Sequence, residues 1–423
     1  MKVQTTEPDK GCMSDFDPRS LSVEEARRRI LEPLTPVEGV ERVSVRHALN
    51  RVLAEAVHSG INVPAHDNSA MDGYAVDSRQ LQDTGERRTL RVAGTAWAGR
   101  PFDGTLGEGE CARIMTGAVV PEGTDSVVVQ EVVERDGDVI RFDHAGKPGQ
   151  NVRSAGEDIA KGSVVLQQSK RLRPADLGLL ASVGIGEVSV TRRPRVAFFS
   201  TGDELRAVGE TLGPGEIYDS NRYTLWGLLT SMGVEVLDMG VVRDTREATR
   251  RAFRDAAAAA DVVITSGGVS VGEADFVTET LEQMGEVTFW KVAIKPGRPL
   301  AFGRVGKAWF FGLLGNPVSV MATFHLFVRP ALYRLSGQAD TTPLTLRVPC
   351  QSQLKKRAGR VEFQRGVLEP GEDGDHQVRK TGPQGSGILT SMSLANCFIV
   401  LPLESEGVRP GDIVTVMPFC ELN

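Results

Sequence analysis

Residues 265–275, Thr265-Ser266-Gly267-Gly268-Val269-Ser270-Val271-Gly272-Glu273-Ala274-Asp275, form the run best suited to chemistry. Small residues lie there between an apolar strand predicted over 262–265 and a helix predicted over 273–284. Free backbone N–H groups at such a junction, together with the helix dipole, favour an anion such as phosphate. The run lacks the G-K-[ST] of a Walker A loop and the G-x-G-x-x-G of a dinucleotide loop, and a tight strand-to-helix turn accounts for it equally well. Three other strand ends carry polar groups: Asp203 and Glu204, then Arg243 and Asp244, then Lys291 leading into Lys295-Pro296-Gly297-Arg298-Pro299. Glu204, Asp244 and Asp275, with Asp203, can hold Mg²⁺, a hard cation that prefers oxygen ligands. Lys291, Lys295 and Arg298 can neutralise oxyanions. Singly, each has a structural alternative: Asp244 or Glu247 can cap the following helix, and Asp275 lies in a first helical turn, where a carboxylate is favourable. Gathered at one sheet edge, acids beside bases suit phosphoryl or nucleotidyl chemistry.

A second polar group lies earlier, in residues 66–75 (HDNSAMDGYA), 113–117 (RIMTG), 149–153 (GQNVR) and 156–159 (GEDI). Hydrophobic periodicity does not account for its polar residues, and Asx- and Gly-built turns are the local explanation. The six histidines (47, 58, 66, 144, 325, 376) form no metal spacing, and His325, between Phe324 and Leu326, reads as a core residue. No Ser–His–Asp arrangement can be read from the sequence.

The elements that must position these groups change texture along the chain. Ser22 and Glu25 form a capping-box pattern before Val23, Ala26 and Ile30, predicting a helix that ends near Pro36. Residues 40–190 break into short alternating stretches, which predicts β structure built from hairpins. From Arg195, continuous apolar strands alternate with amphipathic helices, the pattern of a parallel sheet covered on both faces. Its strands are predicted at 196–199, 234–239, 262–265, 287–292 and 308–313, its helices at 221–232, 245–260 and 273–284. Asn316-Pro317 opens a last helix to about residue 335, with Pro at its first position. Beyond Gly337 the chain returns to strands. In an open parallel sheet, ligands bind beyond the carboxyl ends of the strands, where the acidic and basic groups fall.

Composition bounds the class. The chain has 423 residues, 49 Lys+Arg against 55 Asp+Glu, a net charge of −6 and 46 glycines. That is an ordinary globular composition, rich in glycine against the average of about 7%. The acidic balance argues against nucleic acid as a partner. Five scattered cysteines without a C-x-x-C pair write neither a disulfide framework nor a zinc site. They fit a reducing, cytoplasmic compartment. No apolar run reaches the ~18 residues of a membrane span. The N-terminal stretch lacks the apolar core of a secretory signal and reads as a short arm.

Over residues 20–420 the sequence resembles the molybdopterin molybdenumtransferase family, that of bacterial MoeA and the gephyrin E domain. The resemblance is carried by 67–75 (DNSAMDGYA), 113–117 (RIMTG), 121–125 (PEGTD), 156–159 (GEDI), 200–205 (STGDEL), 217–222 (IYDSNR), 265–275, 293–297 (AIKPG) and 315–319 (GNPVS). It implies a multidomain fold: a discontinuous N-terminal domain (15–57 and 158–193), a β-rich insertion (58–157), a doubly wound, mostly parallel α/β domain of molybdopterin-binding type (194–336) and a small C-terminal β domain (337–423). It also implies molybdenum insertion from molybdate into adenylylated molybdopterin with release of AMP, assisted by Mg²⁺, in a homodimer. The molybdopterin adenylyltransferase and molybdoenzyme chaperones are the implied partners. The resemblance adds Asp72, Thr116 and Asp158 to the catalytic set of Glu204, Asp244 and Asp275, the last three also as metal ligands. Implied substrate-binding residues are Ser266, Gly267, Gly268, Ser270, Gly272, Lys291, Lys295, Arg298, Pro317, Arg365 and Ser386. One departure stands out: the family's G-L-P-G-N-P reads Gly312-Leu313-Leu314-Gly315-Asn316-Pro317, and loss of proline's fixed φ at Leu314 implies a looser loop. Alternative readings are adenylylation of molybdopterin by ATP and a non-catalytic scaffold.

Overall fold

The structure, a computed structural model, describes residues 17, 19–81, 87–143, 147–268, 276–371 and 374–419. Two compact units account for the chain: Arg42–Leu49 with Leu53–Val190, and the remainder, which holds Asn50–Val52 and everything from Thr191 onward.

The first unit centres on a six-stranded sheet in the order Ser126–Val129, Gly73–Val76, Glu110–Ile114, Arg88–Ala96, Val139–Phe142, Glu134–Asp136. Every residue of Gly73–Val76 is buried. Tyr74 and Val76 join Leu90, Val128 and Phe142 on one face, while Ala75 joins Ala96, Ile114 and Val127 on the other. Hairpins alone do not build this sheet: Arg88–Ala96 and Glu110–Ile114 run parallel. The Gly-rich connection over 97–109 is long enough to carry the chain back before the second strand begins, which short-range alternation could not reveal.

In the second unit, the α/β region runs β1 (Arg195–Thr201), α1 (Ser220–Ser231), β2 (Glu235–Val242), α2 (Arg246–Ala259), β3 (Val262–Ser266), α3 (Phe276–Met284), β4 (Gly285–Lys291), β5 (Pro299–Val305) and β6 (Ala308–Leu313). The sheet order is β2-β1-β3-β6-β5-β4, parallel from β2 to β6, with β5 antiparallel to both β6 and β4. β1 shows why its middle residues, 196–199, are all apolar. Val196 and Phe198 enter one core with Leu225, Leu229 and Phe311, and Ala197 and Phe199 enter the other with Phe253, Val263 and Phe310. The helix Val23–Leu31 adds Val23, Ala26 and Ile30 to the first of these cores. Its cap is half a capping box: Ser22 Oγ accepts the Glu25 N–H at 3.1 Å, while the Glu25 carboxylate turns to Arg28 and Arg29.

After β6, α4 (Pro317–Thr323) passes into a wide π turn, Phe324–Val328, and then a further helix, Arg329–Leu335. The predicted continuous helix is thus interrupted. His325 lies within the π turn, 6% exposed and stacked on Phe419 with ring centroids 5.0 Å apart. Burial and then Arg329 push its pKa down to about 3, so it is a neutral core residue as expected.

The C-terminal sheet runs Leu346–Pro349, Ile413–Pro418, Cys397–Leu401, Val361–Pro370, with His376–Lys380 also on the last. Its far edge comes from the α/β region: Ile294 and Lys295 pair in parallel with Val361 and Glu362. The segment after β4 is therefore stitched into the sheet of the following domain.

Candidate active site

The turn at Gly267 and Gly268 shows why this sequence makes a loop beyond β3. Their φ values are +91° and +67°, and a Cβ would meet Thr201 O at 2.6 Å in the first and Val277 Cγ2 at 2.4 Å in the second. Only glycine combines a left-handed backbone with such close approach. Gly268→Ala is expected to destabilise the protein by about 1–3 kcal/mol through strain and overpacking. A thermal melt checks this, and an unchanged melting temperature would refute it.

Beyond β1 and β3 lies a cavity of about 550 Å³, lined by Thr201, Glu204, Asp219, Asn221, Asp244 and Ser266, with Gly267, Gly268 and Pro317 at its edge. Two adjoining parallel strands whose connections leave in opposite directions open such a crevice. Asn221 braces it: its Nδ2 donates to Ser266 Oγ at 2.9 Å and to Gly315 O at 2.6 Å. Leu314 packs against the second α/β core, so its neighbour Gly315 is held from one side by Asn221 and the loop is anchored from the other.

The helix-cap alternative for Asp244 is settled by hydrogen bonds. Thr245 is the N-cap of α2, its side chain accepting the Ala248 N–H at 3.3 Å. Asp244 is left beside like charges. Partial burial, then Asp203 and Glu204, raise its carboxyl above the ordinary aspartate value. An acid whose proton affinity is raised by its acidic neighbours is one that a cation would relieve.

A second cavity, of about 780 Å³, lies between the α/β region and the C-terminal sheet. Lys295, Arg298, Arg360, Glu362, Arg365 and Lys380 line it, with Ser386 at its rim, and Leu314 and Asn316 wall both cavities. Lys295 Nζ lies 3.0 Å from Glu362. Leu21 bridges to Val292 and brings the preceding segment alongside, so Asp17 sits 2.9 Å from Arg298 and 4.0 Å from Lys291. Ser386 O accepts the Val318 N–H at 3.1 Å, tying its loop to the start of α4. Arg365 is 1% exposed, and its guanidinium donates to Ser391 Oγ at 3.0 Å and to the carbonyls of Gln384, Pro383 and Gly385 at 3.1, 3.3 and 2.9 Å. Its donors shape the wall of the cavity; burial pushes its pKa down to about 10, which leaves it charged at pH 7.

In the other unit, Asp72 and Thr116 meet. Asp72 Oδ1 accepts the Thr116 N–H at 2.8 Å and its hydroxyl at 2.7 Å, and these bonds, with the Arg113 charge, hold the Asp72 carboxyl below its ordinary value. Asp158 is exposed in a turn, where its N–H donates to Val63 O at 3.1 Å. Ser270, Gly272 and Asp275 lie outside the described residues. Sequence reasoning missed Glu362 and Gln364 as site residues: they sit in an unremarkable alternating strand and reach the cavity only through the pairing with Ile294–Lys295.

The fold defines a multidomain protein with a doubly wound, mostly parallel α/β region and β-rich regions, its acidic and basic cavities lying at the α/β region. Residues 21–184 match the family described as MoeA N-terminal region (domain I and II), 197–334 the probable molybdopterin binding domain, and 347–419 the MoeA C-terminal region (domain IV). The chain is similar to a Haemophilus influenzae protein named molybdopterin molybdenumtransferase, 47% identical over 404 residues that cover 95% of this chain and 99% of the relative. A Nostoc sp. protein of the same name is 36% identical, with 92% and 91% covered. The crystal structure of a molybdopterin biosynthesis moeA protein from Pyrococcus horikoshii OT3 superposes with a TM-score of 0.82 at 30% identity, covering 95% of this chain and all (100%) of that one. The chain belongs to the molybdopterin molybdenumtransferase family.

Proposed function

We propose that the protein transfers molybdenum from molybdate to adenylylated molybdopterin and releases AMP, the last step of molybdenum cofactor synthesis, as a homodimer in the cytoplasm. The observation that carries this reading is the wall of Leu314 and Asn316 shared by an acid-lined and a cation-lined cavity. One substrate is a phosphoanhydride that needs charge neutralisation at its bridge, the other a tetrahedral dianion. Neighbouring cavities of these two characters let both bind within reach of each other.

In this reading the turn at Ser266, Gly267 and Gly268 lies against the phosphates, its Gly267 N–H being tied to Leu313 O at 3.0 Å; Ser270 and Gly272 enter from the family resemblance, and Pro317 and Asn316 shape the floor. Glu204 and Asp244, joined by Asp275, would hold Mg²⁺. The donor chemistry fits: all are carboxylates, and Asp244 is pressed by its acidic neighbours. Mg²⁺ commonly takes one or two carboxylates and completes its shell with water and substrate phosphate oxygens. When bound, Mg²⁺ supplies neutralisation of charge developing on the cleaved phosphate bridge. Lys295 and Arg298, which line the second cavity, hold molybdate, Lys291 enters from the family resemblance, and Arg365 and Ser386 build the wall it rests against. Asp72, Thr116 and Asp158 enter as functional positions from the family resemblance, the Asp72–Thr116 pair being locked by its two hydrogen bonds.

Purified protein given adenylylated molybdopterin, molybdate and Mg²⁺ should release AMP only when molybdate is present. Chelation of Mg²⁺ should stop the release and its return should restore it. AMP release indifferent to molybdate sinks the proposal, and ATP consumption with bare molybdopterin would point instead to adenylylation. The same assay separates catalysis from a scaffold that binds partners without turnover.

A further inference from the structure

We infer that Glu362 is a positioning residue that fixes the Lys295 ammonium at the wall of the oxyanion cavity. The inference rests on the molybdate reading of that cavity. A carboxylate is an odd tenant of a pocket meant for a dianion, because by charge alone it repels the ligand. Yet Glu362 is 4% exposed and lines the cavity, and both of its oxygens are engaged. Oε1 accepts from Lys295 Nζ at 3.0 Å and Oε2 accepts from Gln364 Nε2 at 3.0 Å. Gln364, itself 6% exposed, also donates to Lys355 O at 3.1 Å, so the carboxylate is clamped from behind.

The pairing is built into the backbone. Lys295 and Glu362 are register partners in the parallel bridge that joins the α/β region to the C-terminal sheet. The Lys295 side chain is 51% exposed while that of Glu362 is 5% exposed, so the ammonium keeps a solvent-facing side with donors left for an oxyanion. A free lysine loses much rotamer freedom when it binds. Glu362 imposes that ordering in advance, and the charge it adds to the cavity is the cost of doing so.

The two roles a buried carboxylate could have here differ in sign. If Glu362 only adds negative charge, its removal tightens anion binding. If it positions Lys295, its removal weakens binding although the cavity becomes more positive. The test measures molybdate binding to the full-length protein by titration calorimetry, and molybdate-dependent AMP release. Wild type is compared with Glu362→Ala, Glu362→Gln, Lys295→Ala and the double variant Lys295→Ala/Glu362→Ala, and circular dichroism confirms the fold. Glu362→Ala is expected to weaken binding and raise KM for molybdate about tenfold, the scale of one lost charge-assisted hydrogen bond, with kcat changed much less. Glu362→Gln keeps an acceptor for Lys295 and should restore most of the loss. The double variant should bind no worse than Lys295→Ala. Equal or tighter binding by Glu362→Ala, or losses that add in the double variant, overturns the inference. If the alanine variant does not fold, a Glu362→Gln protein that binds molybdate tenfold or more weakly than wild type overturns it as well. A wild type that binds no molybdate rejects the cavity reading itself, which is a separate result.

Discussion

Asp244→Asn should lower molybdate-dependent AMP release by about a hundredfold or more while the melting temperature stays unchanged or rises. The two effects part because the side chain supports no element of the fold; Thr245, and not Asp244, caps α2. Partial burial and the neighbouring Asp203 and Glu204 raise its carboxyl in the folded protein above its unfolded value. For an acid shifted upward, the fold loses stability as pH rises through the shifted value, and the loss is absent below the ordinary value near 3.8. Asparagine removes that loss at neutral pH. The same shift gives the sign for the cation: lowering pH toward the raised value protonates Asp244, weakens Mg²⁺ affinity and should raise the Mg²⁺ concentration needed for the rate. Mg²⁺ titrations of the rate, with thermal melts at pH 5 and pH 8, check both halves. A wild-type rate, or a melting temperature that falls by more than a few degrees, contradicts the assignment.

Arg365→Ala should do the opposite, damaging stability as much as activity. Removing this guanidinium leaves buried Ser391 and three carbonyls of the partly exposed 383–385 loop without the donors they now have. A loss of about 2–3 kcal/mol follows from one buried acceptor left unsatisfied, the untied loop and the space left by a 1% exposed side chain, seen as a lower urea midpoint at unchanged slope. Arg365→Lys should recover little, since one ammonium cannot reproduce a planar fork spread over four acceptors. If Arg365 only touched molybdate, Arg365→Ala would lose affinity and keep its urea midpoint.

These two residues differ in how far local sequence reveals them. Asp244 is legible because a strand of a parallel sheet ends just before it, and strand ends of such sheets converge on one edge. Whether it caps a helix or faces its acidic neighbours turns on a single hydrogen bond, from the Ala248 N–H to Thr245. Arg365 is legible only through the resemblance. As a member of a strand with no distinctive spacing it carries no local signal, and its hydrogen bonds to the 383–385 loop depend on where that loop returns.

The α/β alternation, the glycines at positions 267 and 268, and the acidic and basic strand ends are all written in short stretches of chain. They follow from local periodicity and, at the glycines, from a left-handed backbone that favours glycine; the close approach of Thr201 to Gly267 is added by the fold. The parallel pair in the β-rich sheet and the π turn around His325 come instead from long-range packing. So does the bridge that sets Lys295 beside Glu362, a pairing of residues 67 positions apart. Such contacts are fixed by which chain segments pack together, and no local pattern encodes that choice. The cavity that the bridge closes therefore owes its charges to the sequence and their arrangement to the fold.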